Sequence, residues 1–74
     1  MSEMQIMDPT GHLTVSWNVS NRAEVDAAEE AFDKFTDEGY SAFRVGKGGE
    51  RGVRIDTFDP DAEQMILLPQ LRGG

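Results

Sequence analysis

One stretch of this chain has the period of a helix, and its placement limits the fold more than any other feature. Val25, Ala28, Phe32 and Phe35 recur at intervals of three and four between Asn21 and Gly39, which puts them on one face of a helix. Asn21 is a capping residue, Glu24 stands three positions later as in a capping box, and Gly39 is a natural stop. The spacing predicts a helix over about residues 22–38. Seventy-four residues make one domain, and a chain that short buries only about 60% of its unfolded surface. The apolar face of a single helix must therefore be covered by strands.

Strand signals lie on both sides. Gln5-Ile6-Met7 is a short extended candidate, Asp8-Pro9-Thr10-Gly11 has turn composition, and His12 to Trp17 alternates polar with apolar residues. These read as a hairpin with Leu13, Val15 and Trp17 facing a core. After the helix, Tyr40 to Val45 is rich in strand formers, with Phe43 and Val45 on one side and Tyr40 and Arg44 on the other. Gly46 to Gly52 reads as a hairpin loop, because it lacks the spacing of a phosphate-binding loop and leads into no helix. Val53 to Phe58 alternates again, and Asp59-Pro60-Asp61 makes a turn. Met65-Ile66-Leu67-Leu68 is a continuous apolar run that suits a central strand, ended by Pro69.

The fold class that follows is α+β, two layers, with a mixed sheet of four to five strands covered by one helix. The expected core collects Ile6, Leu13, Val15, Trp17, Val25, Ala28, Phe32, Phe35, Phe43, Val45, Ile55, Ile66 and Leu68. Residues 1–70 form the domain, and residues 71–74 a flexible tail.

Charge narrows the partners. Fourteen acidic residues against seven basic ones leave a formal charge of −7, which disfavours nucleic acid and anionic membranes and favours a basic partner. The solvent side of the helix carries Asp26, Glu29, Glu30 and Asp33, with Asp37 beyond them. That face is a candidate docking surface for a basic partner, although a solvated face is the commoner explanation of such a pattern.

Catalytic and metal chemistry find little support. There is no cysteine, hence no disulfide, thiolate site or nucleophilic thiol. His12 shares a strand face with Ser16 but lacks an orienting group. Asp56, Asp59, Asp61 and Glu63 do not have the spacing or the glycine of a calcium loop. The expectation is a protein that is not an enzyme and carries no cofactor or metal. With no basic-apolar leader and no long apolar run, a cytoplasmic monomer is expected.

Met4-Gln5-Ile6 at the start, the Thr10-Gly11 turn before an alternating strand, the single helix, and above all Leu71-Arg72-Gly73-Gly74 resemble ubiquitin. The resemblance implies the β-grasp fold of ubiquitin-like modifiers, in which a central last strand runs out into a diglycine tail. It also implies that the Gly74 carboxylate is adenylated by an ATP-dependent activating enzyme, passed to a conjugating enzyme as a thioester and joined to a lysine of a target protein. Gly73 would let the tail thread a narrow channel, since glycine has no Cβ. Arg72 and Leu71 would be read by these enzymes and by a deconjugating protease, the guanidinium holding a carboxylate in a fork. Lys34 and Lys47 are the lysines able to receive another copy. A bacterial or phage setting is expected.

Two other readings share these residues. Sulfur carriers of the same fold end in two glycines that become a thiocarboxylate, so Gly73 and Gly74 do not separate them from modifiers. A small acidic interaction module of phage or mobile-element origin would work instead through Asp26, Glu29, Glu30 and Asp33.

Overall fold

In a computed structural model, residues 1–46 and 52–69 are described. They form strand β1 (Ser2–Asp8), strand β2 (Gly11–Trp17), helix α1 (Arg22–Asp37), and strands β3 (Ser41–Val45), β4 (Val53–Ile55) and β5 (Gln64–Leu68). The strands make one mixed sheet in the order β2-β1-β5-β3-β4. β1 and β5 pair in parallel at its centre, and the other neighbours are antiparallel. The described residues make an α+β fold, with one helix and a five-stranded mixed sheet.

The first turn closes through a side chain. Asp8 Oδ1 accepts from the Thr10 backbone N–H at 2.9 Å and from the Thr10 hydroxyl at 2.7 Å, a short polar turn of the kind aspartate favours. β1 is longer at both ends than Gln5 to Met7, because pairing with both β2 and β5 extends the strand beyond its most apolar part.

The helix begins and ends as its sequence indicates, with one difference. Asn21 Oδ1 accepts from the Glu24 N–H at 3.2 Å, the expected cap. The Glu24 carboxylate, however, reaches back past Asn21 to the Asn18 N–H at 2.8 Å. The Asn21 N–H is already held by the Asn18 carbonyl at 2.8 Å, so Glu24 closes a wider loop. At the other end Gly39 has φ +101°, its N–H donates to Thr36 O and the Tyr40 N–H donates to Phe35 O, each at 3.0 Å. This is a Schellman ending, and the Phe35 and Tyr40 rings supply its apolar contact edge-to-face at 5.1 Å.

The core consists of Met4, Ile6, Trp17, Ala28, Phe32, Ala42, Ala62, Met65 and Leu67, all buried. Val15, Val25, Phe35 and Ile55 pack against it as expected, together with Tyr40 and Phe58. Four expected core residues are placed otherwise. β5 buries Met65 and Leu67, so Ile66 and Leu68 point to the other face of the sheet; β3 buries Ala42, so Phe43 and Val45 do the same. A shift of one residue moves every side chain of a strand across the sheet. Both faces of β5 are apolar, and the period of two does not choose between them. Leu13 faces the helix side, opposite Ile6, yet is 49% exposed because β2 is the edge of the sheet.

β4 is also shorter than the alternation from Val53 to Phe58 suggests, ending at Ile55. Phe58 leaves the sheet and folds over the core instead, with its ring 5.1 Å from Trp17 and 5.7 Å from Phe32. The Asp59-Pro60-Asp61 turn brings the buried Ala62 inward. Arg44 stays at the surface and ties this loop to β3 through Asp59 at 3.0 Å, a part-exposed ion pair worth at most about 1 kcal/mol.

Candidate functional site

The registers divide the sheet into two faces of different character. Met4, Ile6, Met65, Leu67 and Ala42 lie on the face that packs against α1. The open face carries His12, Thr14 and Ser16 from β2, Glu3, Gln5 and Met7 from β1, Gln64, Ile66 and Leu68 from β5, Ser41, Phe43 and Val45 from β3, and Arg54 from β4. Its β1–β2 half is largely polar. Its β5–β3 half is an apolar strip.

Phe43 is the centre of that strip. It stands opposite Ile66 on β5 and opposite Arg54 on β4. Phe43, Val45, Gly52, Ile66 and Leu68 line a shallow depression of about 240 Å³. A methyl group on Gly52 would come within 3.3 Å of the Phe43 Cβ, so glycine lets the backbone entering β4 lie close against Phe43. Leu68 is 41% exposed and the other three side chains are half-buried. An apolar surface with a cation at its border is suited to holding an apolar side chain beside an acidic one.

These are the residues that sequence patterning assigned to the core. A signal for their true place was present: an apolar run without alternation at Met65 to Leu68 implies that both faces of the strand meet something, and one helix covers only one of them. Ala42 on β3, with Met65 and Leu67 on β5, alternates with the strip and marks the buried face.

The acidic residues sit on the other layer. Asp26, Glu29, Glu30 and Asp33 are all exposed on the outer side of α1, remote in the layer order from the open face of the sheet. Asp26 meets Arg22 at 3.4 Å, with both side chains largely in water, a contact of little energetic weight. Nothing in the geometry gathers the four carboxylates into a pocket. Lys34 is exposed on the last turn of α1, its ammonium 5.7 Å from the centre of the Phe35 ring. Lys47 and the tail residues Leu71, Arg72, Gly73 and Gly74 lie outside the described residues.

A second depression of about 200 Å³ opens beside the helix C-terminus, between Thr36, Tyr40, Arg54 and Asp56. Its lining is more polar. Tyr40 closes one side, and its hydroxyl donates to Asp8 Oδ2 at 3.2 Å, tying the first hairpin to the start of β3. Asp8 is held below its ordinary value of 3.8, chiefly by the Thr10 N–H, then by the Thr10 hydroxyl. Burial is the main cause that raises Tyr40 above 10.0, followed by the Asp8 contact. Among the described residues, no three of His, Cys, Asp or Glu are placed to hold a metal ion, and no helix is long and apolar enough to cross a membrane.

Comparison with protein families, curated proteins and solved structures finds no match to this chain.

Proposed function

We propose that this chain is a ubiquitin-like protein modifier of β-grasp fold, joined through the carboxylate of Gly74 to amines of target proteins. The observation that carries the reading is the position of β5: the middle strand of the sheet is the one followed, across Pro69 and Gln70, by Leu71-Arg72-Gly73-Gly74. A tail that issues from the central strand is anchored by pairing on both sides. The strand order, the parallel β1–β5 centre and the single helix packed on one face support the β-grasp assignment.

In this reading the protein is a substrate and carrier. The Gly74 carboxylate attacks the α-phosphorus of ATP and pyrophosphate leaves. A cysteine thiolate of the activating enzyme displaces AMP, transfer to a conjugating enzyme exchanges one thiol for another, and a target lysine amine displaces the last thiol to form the amide. Each acyl carrier activates the carbonyl for the next nucleophile. Leu71 and Arg72 identify the tail to these enzymes, and Gly73 with Gly74 let it enter a channel too narrow for a side chain. The strip around Phe43 and Ile66 provides a surface by which the joined product is read, receiving an apolar anchor while Arg54 meets a carboxylate.

The test is an immunoblot of host cells expressing the chain with an N-terminal tag. Conjugation produces bands above the free protein that disappear when Gly74 is deleted, while the deleted protein keeps its fold. A free protein without higher bands, whose intact mass shows one terminal oxygen replaced by sulfur, would assign it to the sulfur carriers instead.

A further inference from the structure

We propose that two copies of this chain join edge to edge through β2, continuing the sheet from one copy into the other. The two edges of the sheet differ in how they are protected. β4 is three residues long and carries Arg54, both common means of keeping an edge from pairing. β2 is seven residues long, contains no lysine, arginine, aspartate, glutamate or proline, and pairs with β1 in unbroken register without a bulge. Among the described residues, none of the usual protections is present at this edge.

The direction of its backbone groups follows from β1. The Glu3 N–H donates to the Glu63 carbonyl at 3.1 Å, so Glu3 turns its backbone toward β5 and away from β2. Glu3 faces Ser16 in the β1–β2 register, which makes that a pair without hydrogen bonds, and such pairs alternate along an antiparallel ladder. Thr14 and His12, opposite Gln5 and Met7, are therefore in the same state. The N–H and C=O groups of His12, Thr14 and Ser16 point outward along the free edge, and all three residues are exposed.

The occupant is a second copy because His12-Leu13-Thr14-Val15-Ser16 is self-complementary about its centre. In an antiparallel pairing centred on Thr14, Thr14 meets the partner's Thr14, His12 meets the partner's Ser16 and Leu13 meets the partner's Val15. Every outward residue then faces an outward residue, so each such pair exchanges two backbone hydrogen bonds. Polar side chains meet on the open face, where threonine pairs are favourable. On the helix side, Leu13, 49% exposed in one copy, is covered by a half-buried valine. Two-fold symmetry makes each contact occur twice. No like charges meet within the joined strands. The repulsion opposing the pair comes from the charge of −7 on each copy, which salt screens. The inference is independent of conjugation and places a second copy where the sequence alone suggests a monomer.

Sedimentation equilibrium of the full chain, from micromolar to millimolar concentration at low and high salt, tests this. The average mass is expected to rise with concentration from 8.2 kDa toward twice that value, and more steeply at high salt. Exchange of the His12, Thr14 and Ser16 amides is expected to slow in parallel. Thr14→Lys sets two ammonium groups face to face, and Thr14→Pro removes an outward N–H that β1 does not use; both are expected to restore the mass of one chain with an unchanged circular dichroism spectrum. Thr14→Lys, the milder change, decides the matter if Thr14→Pro unfolds. Ile66→Asp, on the apolar strip, is expected to leave association intact. A wild-type chain that stays at 8.2 kDa under all conditions, or a dimer indifferent to Thr14→Lys, overturns the proposal.

Discussion

The Trp17 indole N–H donates to the Pro60 carbonyl at 3.1 Å, joining the end of β2 to the loop that precedes β5. The same ring is fully buried and tilts against Phe58 at 5.1 Å. One side chain thus fixes the irregular segment 56–63 onto the core. Trp17→Phe keeps much of the apolar contact but leaves the Pro60 carbonyl without its donor, and is expected to cost about 1–3 kcal/mol. Trp17→Ala also opens a cavity and is expected to cost about 3–5 kcal/mol. Urea unfolding followed by circular dichroism measures both.

The division of β5 between two faces gives a sharper comparison. Leu67 is fully buried and its neighbour Leu68 is 41% exposed. Leu67→Ala is expected to cost about 2–5 kcal/mol by the usual loss on truncating a core leucine. Leu68→Ala should cost less than about 1 kcal/mol, since most surface changes do little. Equal losses in the two urea curves, or the reverse order, would contradict the register.

Helix ends offer an independent check. Gly39 holds φ +101° with open space around a would-be Cβ, so Gly39→Ala is penalised by backbone strain alone, by about 1–2 kcal/mol. Asn21→Ala removes the cap to Glu24 N–H and is expected to cost about 1 kcal/mol. Thermal unfolding of the two variants should show losses that add in the double mutant, because the sites are at opposite ends of α1.

The helix was legible in the sequence because its signals are local: Asn21, the spacing of Val25 to Phe35, and Gly39 each act within a few residues. The Met65 to Leu68 run marked a central strand for the same reason that it hid which face was buried, since it is apolar on both. Phe43 looked like a core residue by size, yet the buried position of β3 is Ala42. Only pairing with β5 and packing under α1 decide that, and both are long-range. The fold-back of Phe58 was unreadable for a similar reason, because its ring packs on Trp17, some 40 positions away in the chain. Of the candidate residues, the tail Leu71-Arg72-Gly73-Gly74 is a reading of the sequence and lies outside the described residues, whereas the apolar strip is defined by the registers of the sheet.

Asp8 and Tyr40 set a dependence on pH at the two extremes, the first mainly through Thr10 and the second mainly through burial. Asp8 lies below 3.8 in the folded protein, held there first by the Thr10 N–H. A carboxyl with a lower value folded than unfolded stabilises fully above its unfolded value, and the contribution is lost as pH falls through the folded one. Tyr40 lies above 10.0, mainly through burial, so its contribution is full below 10.0 and lost as pH rises through the folded value. Asp8→Asn is expected to flatten the acid limb of stability against pH. Tyr40→Phe should flatten the alkaline limb and largely preserve the acid one, because both Thr10 contacts remain. Urea midpoints across the pH range measure the two limbs.

Conjugation through Gly74 is tested most directly by mass spectrometry of trypsin-digested lysate from the native host. Cleavage after Arg72 leaves Gly73-Gly74 on every modified lysine, so a modifier predicts such remnants on target proteins and their loss in a strain whose chain lacks Gly74. Abundant, unmodified protein with no remnants that depend on Gly74 would contradict it.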